Sequence, residues 1–500
     1  MKKIILTTLN SRFTHTSIAL RYLYANLQEL QQDATIAEFS INDAVQSIAQ
    51  KLLQYKPQII GIGVYIWNVS QVYELIHIIK KVAPQTVVVL GGPEVSHEPF
   101  RVNLDTADFI IQGEGDEAFY GLCKKILSLN APKDRIIKMS MPSLKNIALP
   151  YRYYTDDDIK NRYIYVEASR GCPFECEFCL SSMDERVRAF DLDTLLEEFE
   201  LLWQRGARNF KFIDRTFNLN IKTANRLLDF FLAKPAPYFA HFEVVPDHFP
   251  ESLKAKMKLF GEGALQLEIG IQTLNPEIAA NISRSLQLDK IKENIRFLEN
   301  ETHAHIHLDL IVGLPGETLE SFGKNLDELV SLSSCEIQIG ILKKLSGTTI
   351  NRHDIEHGMV YSDIPPYDVL QTSKLSFEEI GVMKRFSRFW DLTYNSGNFK
   401  ESVKLIWQDE SVFENFYDFG IWMYAQTDAT WQISLQRLGE LLFTYLCKIK
   451  KLSPEFVAKT MLQDMMKLQG RVVPPYLKPY TDDTHAPNKK GTSGFNKRQQ

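Results

Sequence analysis

Cysteine is scarce in this chain of 500 residues: there are six, and three of them, Cys172, Cys176 and Cys179, fall within eight residues. A set so uneven is not a disulfide framework. Long apolar runs are lacking as well. Met1-Lys2-Lys3 followed by Ile4 to Leu6 resembles the opening of a signal peptide, but Asn10, Ser11 and Arg12 end that run too early, and no other run reaches membrane-spanning length. There is no excess of positive charge either: the formal net charge of -5 gives no general attraction to nucleic acid. What remains, 44% apolar and 24% charged residues, is ordinary for a soluble globular protein, and the length suffices for two or three domains.

The three clustered cysteines form C-x3-C-x2-C just after Tyr163 to Ala168, an apolar run that reads as a buried strand. Arg170-Gly171 and Pro173 break the strand into a loop able to wrap around a group. Thiolates are the ligands of iron-sulfur clusters, and three of them hold three corners of a [4Fe-4S] cubane, leaving one iron open for a ligand. Phe178, beside the third cysteine, shields one side from water. A zinc site and a purely structural cluster compete with this reading, but each needs a fourth ligand, and Cys123, Cys335 and Cys447 lie far off and alone.

With an aromatic residue before its last cysteine, this loop resembles the cluster loop of the radical S-adenosylmethionine (radical SAM) superfamily. The resemblance implies that the open iron chelates SAM, and that one electron cleaves it to methionine and a hydrogen-abstracting 5'-deoxyadenosyl radical. It also implies an electron donor such as flavodoxin or ferredoxin. A low-potential cluster needs a reducing compartment, so the expected location is the cytoplasm.

Residues 1–130 alternate apolar strand-like runs with helix-like stretches: Ile4 to Leu9, Ala34 to Phe39, Ile59 to Tyr65, Thr86 to Leu90 and Phe109 to Ile111 are the strands. Five strand-helix alternations predict a doubly wound, flavodoxin-like parallel sheet. Ligands of such sheets sit at the carboxyl ends of the strands, which nominates Asn10, Tyr65, Gly91, Gly92 and Glu94 of the GGPE turn, and Gly113 and Glu114 of GEGDE. Placed ahead of the cluster loop, these turns resemble the cobalamin (B12)-binding-domain class of radical SAM enzymes. The D-x-H-x-x-G motif of domains that ligate cobalt through histidine is missing, since His15, His77 and His97 have the wrong neighbours. The resemblance therefore implies cobalt without that ligand, and a domain that has lost its cobalamin is the alternative. Residues 131–162, with Pro132, Pro142 and Pro150, read as a linker.

Six strand-like runs with intervening amphipathic stretches fill residues 163–350, too few for a closed eightfold barrel and suited to a partial (β/α)6 TIM-like barrel with its chemistry at the carboxyl ends. Polar residues at these ends extend the resemblance. Asp214 and Asn218 stand where the family often places an acceptor for the SAM amino group, although its Gly-Gly-Glu segment is absent, and helix capping is the other reading. Glu268, Gln272 and the following Arg284 match a pattern whose side chains reach SAM, and Gly313 opens a GLPGE turn of the kind that closes on adenine. A buried strand does not keep an unpaired Glu and Gln cheaply, which favours a polar ligand there. His303, His305, His307 and Asp309 alternate on one strand. Same-face neighbours lie about 7 Å apart, which suits a shared metal poorly, so they are expected to line the barrel, with His307 and Asp309 nearest its mouth.

Residues 351–480 are rich in Phe, Trp, Leu and Met at helical spacing and predict a helical third domain, a cap, whose aromatics form a core. The segments YDVLQTSKLSFEEI and YNSGNF resemble an uncharacterised C-terminal domain of one bacterial subgroup of these enzymes. The polar tail, 481–500, reads as disordered. The expected activity is methylation of an unactivated carbon of a small molecule or peptide by cobalamin and SAM. The rivals are a radical rearrangement without methyl transfer and a non-catalytic cluster- or cobalamin-binding regulator.

Overall fold

In the computed structural model, residues 2–467 and 471–481 are described. The chain begins with β1 (Ile4–Asn10), α1 (Ile18–Ala25), β2 (Ala34–Ser40), α2 (Val45–Leu53), β3 (Ile59–Gly63), α3 (Val69–Val82), β4 (Val87–Gly91), β5 (Phe109–Gln112), α4 (Asp116–Leu127) and β6 (Ile136–Lys138). Its strands form one parallel sheet in the order β2-β1-β3-β4-β5-β6. Helices α2 and α3 bury Leu52, Val72 and Ile76 against Ile5, Ile60 and Val88 on one face. On the other, α1 and α4 bury Leu20, Phe119 and Leu122 against Ile4, Leu6 and Val89. Cover on both faces is why β1 reads as a continuous apolar run rather than an alternating one.

The sheet departs from expectation twice. No helix joins β4 to β5; residues 92–108 make the crossing with one short turn at Pro93–Val95, because Pro93 and Pro99 lack the donors a helix needs there. The expected linker supplies the sixth strand, then packs down. Leu144 and Ile147 join Tyr22 and Phe190 in a small core, and Tyr151 and Tyr154 are buried. The short helix α5 (Asp156–Asn161) starts from a reciprocal cap between Thr155 and Asp158, and Asp158 also pairs with Arg21 of α1 at 2.8 Å.

The second sheet comprises β7 (Ile164–Val166), β10 (Asn209–Phe212), β11 (Phe239–Val244), β12 (Leu265–Gln272), β13 (His305–Val312) and β14 (Glu336–Ile341), all parallel, in the order β14-β13-β12-β11-β10-β7. Since β7 and β14 do not pair, the barrel is open on one side. Two short strands, β8 (Ser169–Arg170) and β9 (Arg188–Ala189), pair antiparallel after β7. The outer layer is α6 (Leu192–Gln204), α7 (Ile221–Leu232), α8 (Glu251–Met257), α9 (Pro276–Asn281), α10 (Leu288–Glu301) and α11 (Leu319–Leu332). Capping side chains start several of them: Asp191 accepts from the Thr194 N–H, and Asn220 from the Thr223 N–H. Strand β12 shows the logic of the barrel: Leu265, Leu267, Ile269 and Ile271 face the helices and are buried, while Gln266, Glu268 and Gln272 face the interior.

The C-terminal part opens with a hairpin, β15 (Val360–Tyr361) and β16 (Val369–Gln371), followed by α12 (Phe377–Trp390), α13 (Val412–Thr427), α14 (Leu435–Lys448) and α15 (Pro454–Met466). Helix α12 packs on β14 and β16, and α13 on α11, within the same hydrophobic core as the barrel. These helices, the expected helical third domain, therefore cover the outer side of the edge strand β14. Phe389, Trp390, Trp407 and Phe416 are buried as expected, but Trp431 is 69% exposed, under the Arg388 guanidinium. The tail from Asp482 onward lies outside the described residues. Among the described residues, no helix is long and apolar enough to cross a membrane.

Candidate active site

Pairing of β8 with β9 closes the base of the cysteine loop, so residues 171–187 leave and return at one point beside the end of β7. Gly171 makes the turn at φ +94°, and a Cβ there would lie 2.4 Å from the Arg186 carbonyl oxygen, so no other residue fits without displacing the loop. The Cys172 N–H donates to the Asp184 carbonyl at 2.9 Å, and the Cys179 N–H to the Cys176 carbonyl at 3.0 Å. Burial pushes the Cys172 and Cys176 thiols up, and the neighbouring cysteines of the loop add to this. Arg284 offsets part of that cost: Nη1 lies 3.8 Å from the Cys176 sulfur, and Nη2 donates to the Gly270 carbonyl at 2.8 Å. It sits in the turn after α9, not in the helical stretch expected for it. No fourth cysteine joins the group, since Cys123 is in the core of the first sheet and Cys335 and Cys447 pack elsewhere. Three thiols and a nearby guanidinium fit a cluster that keeps one iron open.

Glu177, between the second and third cysteines, is 2% exposed and is a residue that sequence reasoning missed. Its carboxylate accepts from the Ser283 hydroxyl at 2.6 Å, faces His353 at 2.9 Å and pairs with Arg352. Its backbone carbonyl accepts from the Ile350 N–H. The loop is thus pinned to segments more than 100 residues away, which no local pattern announces.

A cavity of about 300 Å³ opens at the barrel mouth, lined by Phe178, Glu268, Gln272, Asp309, Gln338 and Lys343 among others. Burial alone would raise Glu268, but its 2.9 Å hydrogen bond with His241, with Lys211 and His307 nearby, brings it down to about 2, so it stands there as a carboxylate. Burial and the charges of Glu268 and Glu243 push Asp309 well above the usual carboxylate range. Gln272 sits at φ +67° on an irregularity of β12, and its Oε1 is buried without a partner. An orphaned amide oxygen beside a carboxylate at the mouth is what a polar ligand such as SAM would satisfy.

Three other nominated residues are committed to the protein itself. Asp214, pushed up to about 6 by burial, accepts from the Ala168 N–H at 2.9 Å and the Ser169 hydroxyl at 2.6 Å, tying β10 to the start of the cysteine loop. It caps no helix, for Asn220 does that. Asn218 is wholly buried and spends its amide on Val245 and His248. The Gly313 N–H donates to Glu317, and Val369 closes off the α-carbon. Of the four alternating residues on the histidine strand, His303 precedes β13 and Asp309, but not His307, lines the mouth cavity. The rings of His305 and His307 come within 4.7 Å of each other, contrary to the spacing argument, because rotamers bring the ends of the side chains closer than their backbones.

The first domain holds a second cavity, of about 310 Å³, at the carboxyl ends of β3, β4 and β5. Tyr65, Gly91, Gly92, Gly113 and Glu114 line it, as nominated, joined by Asp116 and by Glu167, Arg170 and Ile213 from the barrel. A Cβ on Gly113 would meet nothing within 4 Å and one on Gly91 only a carbonyl at 3.9 Å, so these glycines border open space, as a cradle for a broad, flat ligand requires. The lining contains no histidine, in keeping with the missing motif. Asn10 and Glu94 stand outside it. Asn10 is held by the His15 carbonyl and Glu38, and Glu94, raised by burial, accepts from the Tyr367 hydroxyl at 2.5 Å. Arg170 joins the domains, reaching Glu114 and Asp116 at 2.9 Å and Glu167 at 3.0 Å.

Family comparisons assign these regions. A B12 binding domain matches residues 4–123, the radical SAM superfamily residues 166–329, and a protein domain of unknown function, DUF4080, residues 355–498. The chain thus carries a radical SAM domain preceded by a B12-binding domain and followed by the DUF4080 domain. Its domains are those that hold a [4Fe-4S] cluster with SAM and a cobalamin, and it is an enzyme. An uncharacterised methyltransferase of Pyrococcus horikoshii is 25% identical over 414 residues, 74% of this chain and 86% of that protein. The cobalamin-dependent radical SAM methyltransferase TokK of Streptomyces tokunonensis is 24% identical over 342 residues, 60% of this chain; the match spans about half (49%) of TokK. Among solved structures, the cobalamin-dependent SAM radical enzyme OxsB aligns with a TM-score of 0.60 at 13% identity, covering 93% of this chain and 79% of that one. The radical SAM methyltransferase TsrM of Kitasatospora setae aligns at 0.58 and 17%, covering 73% and 82%. At such identities the structural likeness speaks for the fold.

Proposed function

We propose that this protein is a cobalamin-dependent radical SAM methyltransferase that acts on an unactivated carbon of a small molecule or peptide. One observation carries the reading: both cavities border the same short piece of chain, Glu167 and Arg170 lining the first and Phe178 the second. Cys172, Cys176 and Cys179 would hold the cluster, Glu268, Gln272 and Arg284 would meet SAM, and Tyr65, Gly91, Gly92, Gly113 and Glu114 would cradle the corrin. When bound, these groups supply a hydrogen-abstracting radical from SAM and a methyl group from the corrin. The chain's own share is placement. Glu177 fixes the loop between two cysteines, Phe178 excludes water from its side of the mouth, and Arg170 keeps the domains in register. Relatives named as methyltransferases support this reading over a rearrangement. A reductant of the flavodoxin or ferredoxin type would serve it, and the cytoplasm is where its thiols would stay reduced.

The test is anaerobic reconstitution with iron, sulfide and cobalamin, followed by reduction in the presence of SAM. S-adenosylhomocysteine and 5'-deoxyadenosine together are the expected products. The deoxynucleoside alone would favour rearrangement, and neither product would favour a regulator. Replacing the three cysteines with Ala is expected to remove iron and SAM cleavage together, and cleavage that survives would overturn the assignment.

A further inference from the structure

We infer a second metal site at the foot of the barrel, where His305, His307 and Glu336 form a cradle for a divalent first-row cation, zinc being the best match. His305 and His307 share one face of β13, and His307 stands in register with Glu336, the first residue of β14. The Nε2 atoms of both imidazoles converge on one carboxylate: His305 lies 3.0 Å from Oε1 of Glu336 and His307 3.0 Å from Oε2. One ligand atom from each residue falls within 4.8 Å of the other two. Tetrahedral zinc with bonds of about 2.0–2.2 Å spaces its ligand atoms by roughly 3.3 Å, so a swing of about 1.5 Å by one imidazole closes the widest gap.

The surroundings suit this role. A histidine bound through Nε2 carries its proton on Nδ1 and needs an acceptor there. The Gln338 amide lies 2.7 Å from Nδ1 of His307, and turning that amide over presents its oxygen. The His307 and Glu336 side chains are 11% and 14% exposed and His305 50%, which leaves an entry path and room for a water as fourth ligand. The site lies toward the amino end of β13: His305 and His307 stand seven and five residues, roughly 23 and 17 Å of strand, from the carboxyl end where the cysteine loop lies. An ion there would sit one side chain below the mouth cavity, since Gln338 both meets His307 and lines that cavity. It would clasp β14, the last strand of an open barrel, to its neighbour.

The test uses the full chain with its iron-sulfur cluster reconstituted, stripped with a chelator, reloaded with zinc and desalted, with zinc and iron measured together by plasma mass spectrometry. About one zinc per chain is expected in the native protein, at least tenfold less in His305→Ala and Glu336→Gln, and a thermal midpoint that rises with zinc in the native protein alone. His305→Ala changes a half-exposed side chain, so loss of zinc there is not loss of fold. The Cys172→Ala/Cys176→Ala/Cys179→Ala variant is expected to lose iron and keep zinc, which separates this site from the cluster. Zinc that leaves with the cysteines, zinc that persists in both single variants, or a native chain that neither retains zinc nor gains midpoint would overturn the inference.

Discussion

Glu317 is a carboxyl group with almost nothing to ionise against. It is fully buried, one oxygen accepts from the Gly313 N–H at 2.9 Å, the other has no partner, and burial pushes its pKa up to about 8. The folded chain therefore holds a proton that the unfolded chain releases above its ordinary value near 4.5, so stability falls as pH rises from about 5 to 8. Glu317→Gln stays neutral and keeps the acceptor. Its unfolding free energy, from denaturant titrations, is expected to match the native protein near pH 5 and to exceed it at pH 8 by on the order of a few kcal/mol; an unchanged pH slope would contradict this. Gly171 makes the complementary case in the backbone. Gly171→Ala is expected to cost about 1–3 kcal/mol locally and to lower iron per chain several-fold after reconstitution, with far-ultraviolet circular dichroism unaltered. That Cys172, Cys176 and Cys179 share one loop and that Glu268 and Gln272 face the mouth was legible in the sequence, because chain adjacency and strand alternation place them there. Glu94 and Asn218, nominated for a ligand, have partners within the chain, and such a partner as Tyr367, 273 residues from Glu94, leaves no local trace in the sequence.

An open parallel barrel needs its edges covered, and the elements of this protein do that asymmetrically. On the β14 side α12 and α13 lay Phe386, Trp390 and Phe416 into the barrel core, with ring centroids of Trp390 and Phe416 4.9 Å apart. Trp390→Ala is expected to destabilise the chain by about 3–5 kcal/mol, read as a lower thermal midpoint, and to leave barrel and helices unfolding together rather than in two steps. Two separate transitions in the native protein would contradict a shared core. Long elements were legible: the first five strands each begin and end within a residue or two of the apolar runs read for them, and β7 lies inside Tyr163 to Ala168. The strands β6, β8 and β9, of two or three residues, were not, since so few positions carry no periodicity and form only because a neighbouring strand offers its edge.

At the scale of the molecule, the first domain and the barrel are bound by charges set into their interface, and the C-terminal helices by a shared apolar core. Arg170 donates to Glu114, Asp116 and Glu167, and Arg188 pairs with Glu114 and Asp184, so the loop that carries the cysteines is fastened to the first domain at both of its ends. Arg170→Ala leaves the buried Asp116 and Glu167 without their cation and Glu114 with Arg188 alone, and is expected to reduce cobalamin retained through gel filtration several-fold. Arg170→Lys is expected to fail as a rescue, because an ammonium cannot reproduce the guanidinium fork. The order of the units was legible from composition and motifs. Their docking was not, because Leu144, Ile147, Tyr151 and Tyr154 are too few and too irregularly spaced to separate a packed strap from a loose tether.

The fastening of Arg170 and Arg188 to Glu114 and Asp116 also sets a rule for recombination. A chimera that takes its first 130 residues from another member of this class inherits a foreign surface opposite two arginines. It will assemble when the donor brings acidic residues to both positions, and where it does not, exchanging the arginines in the same step restores compatibility.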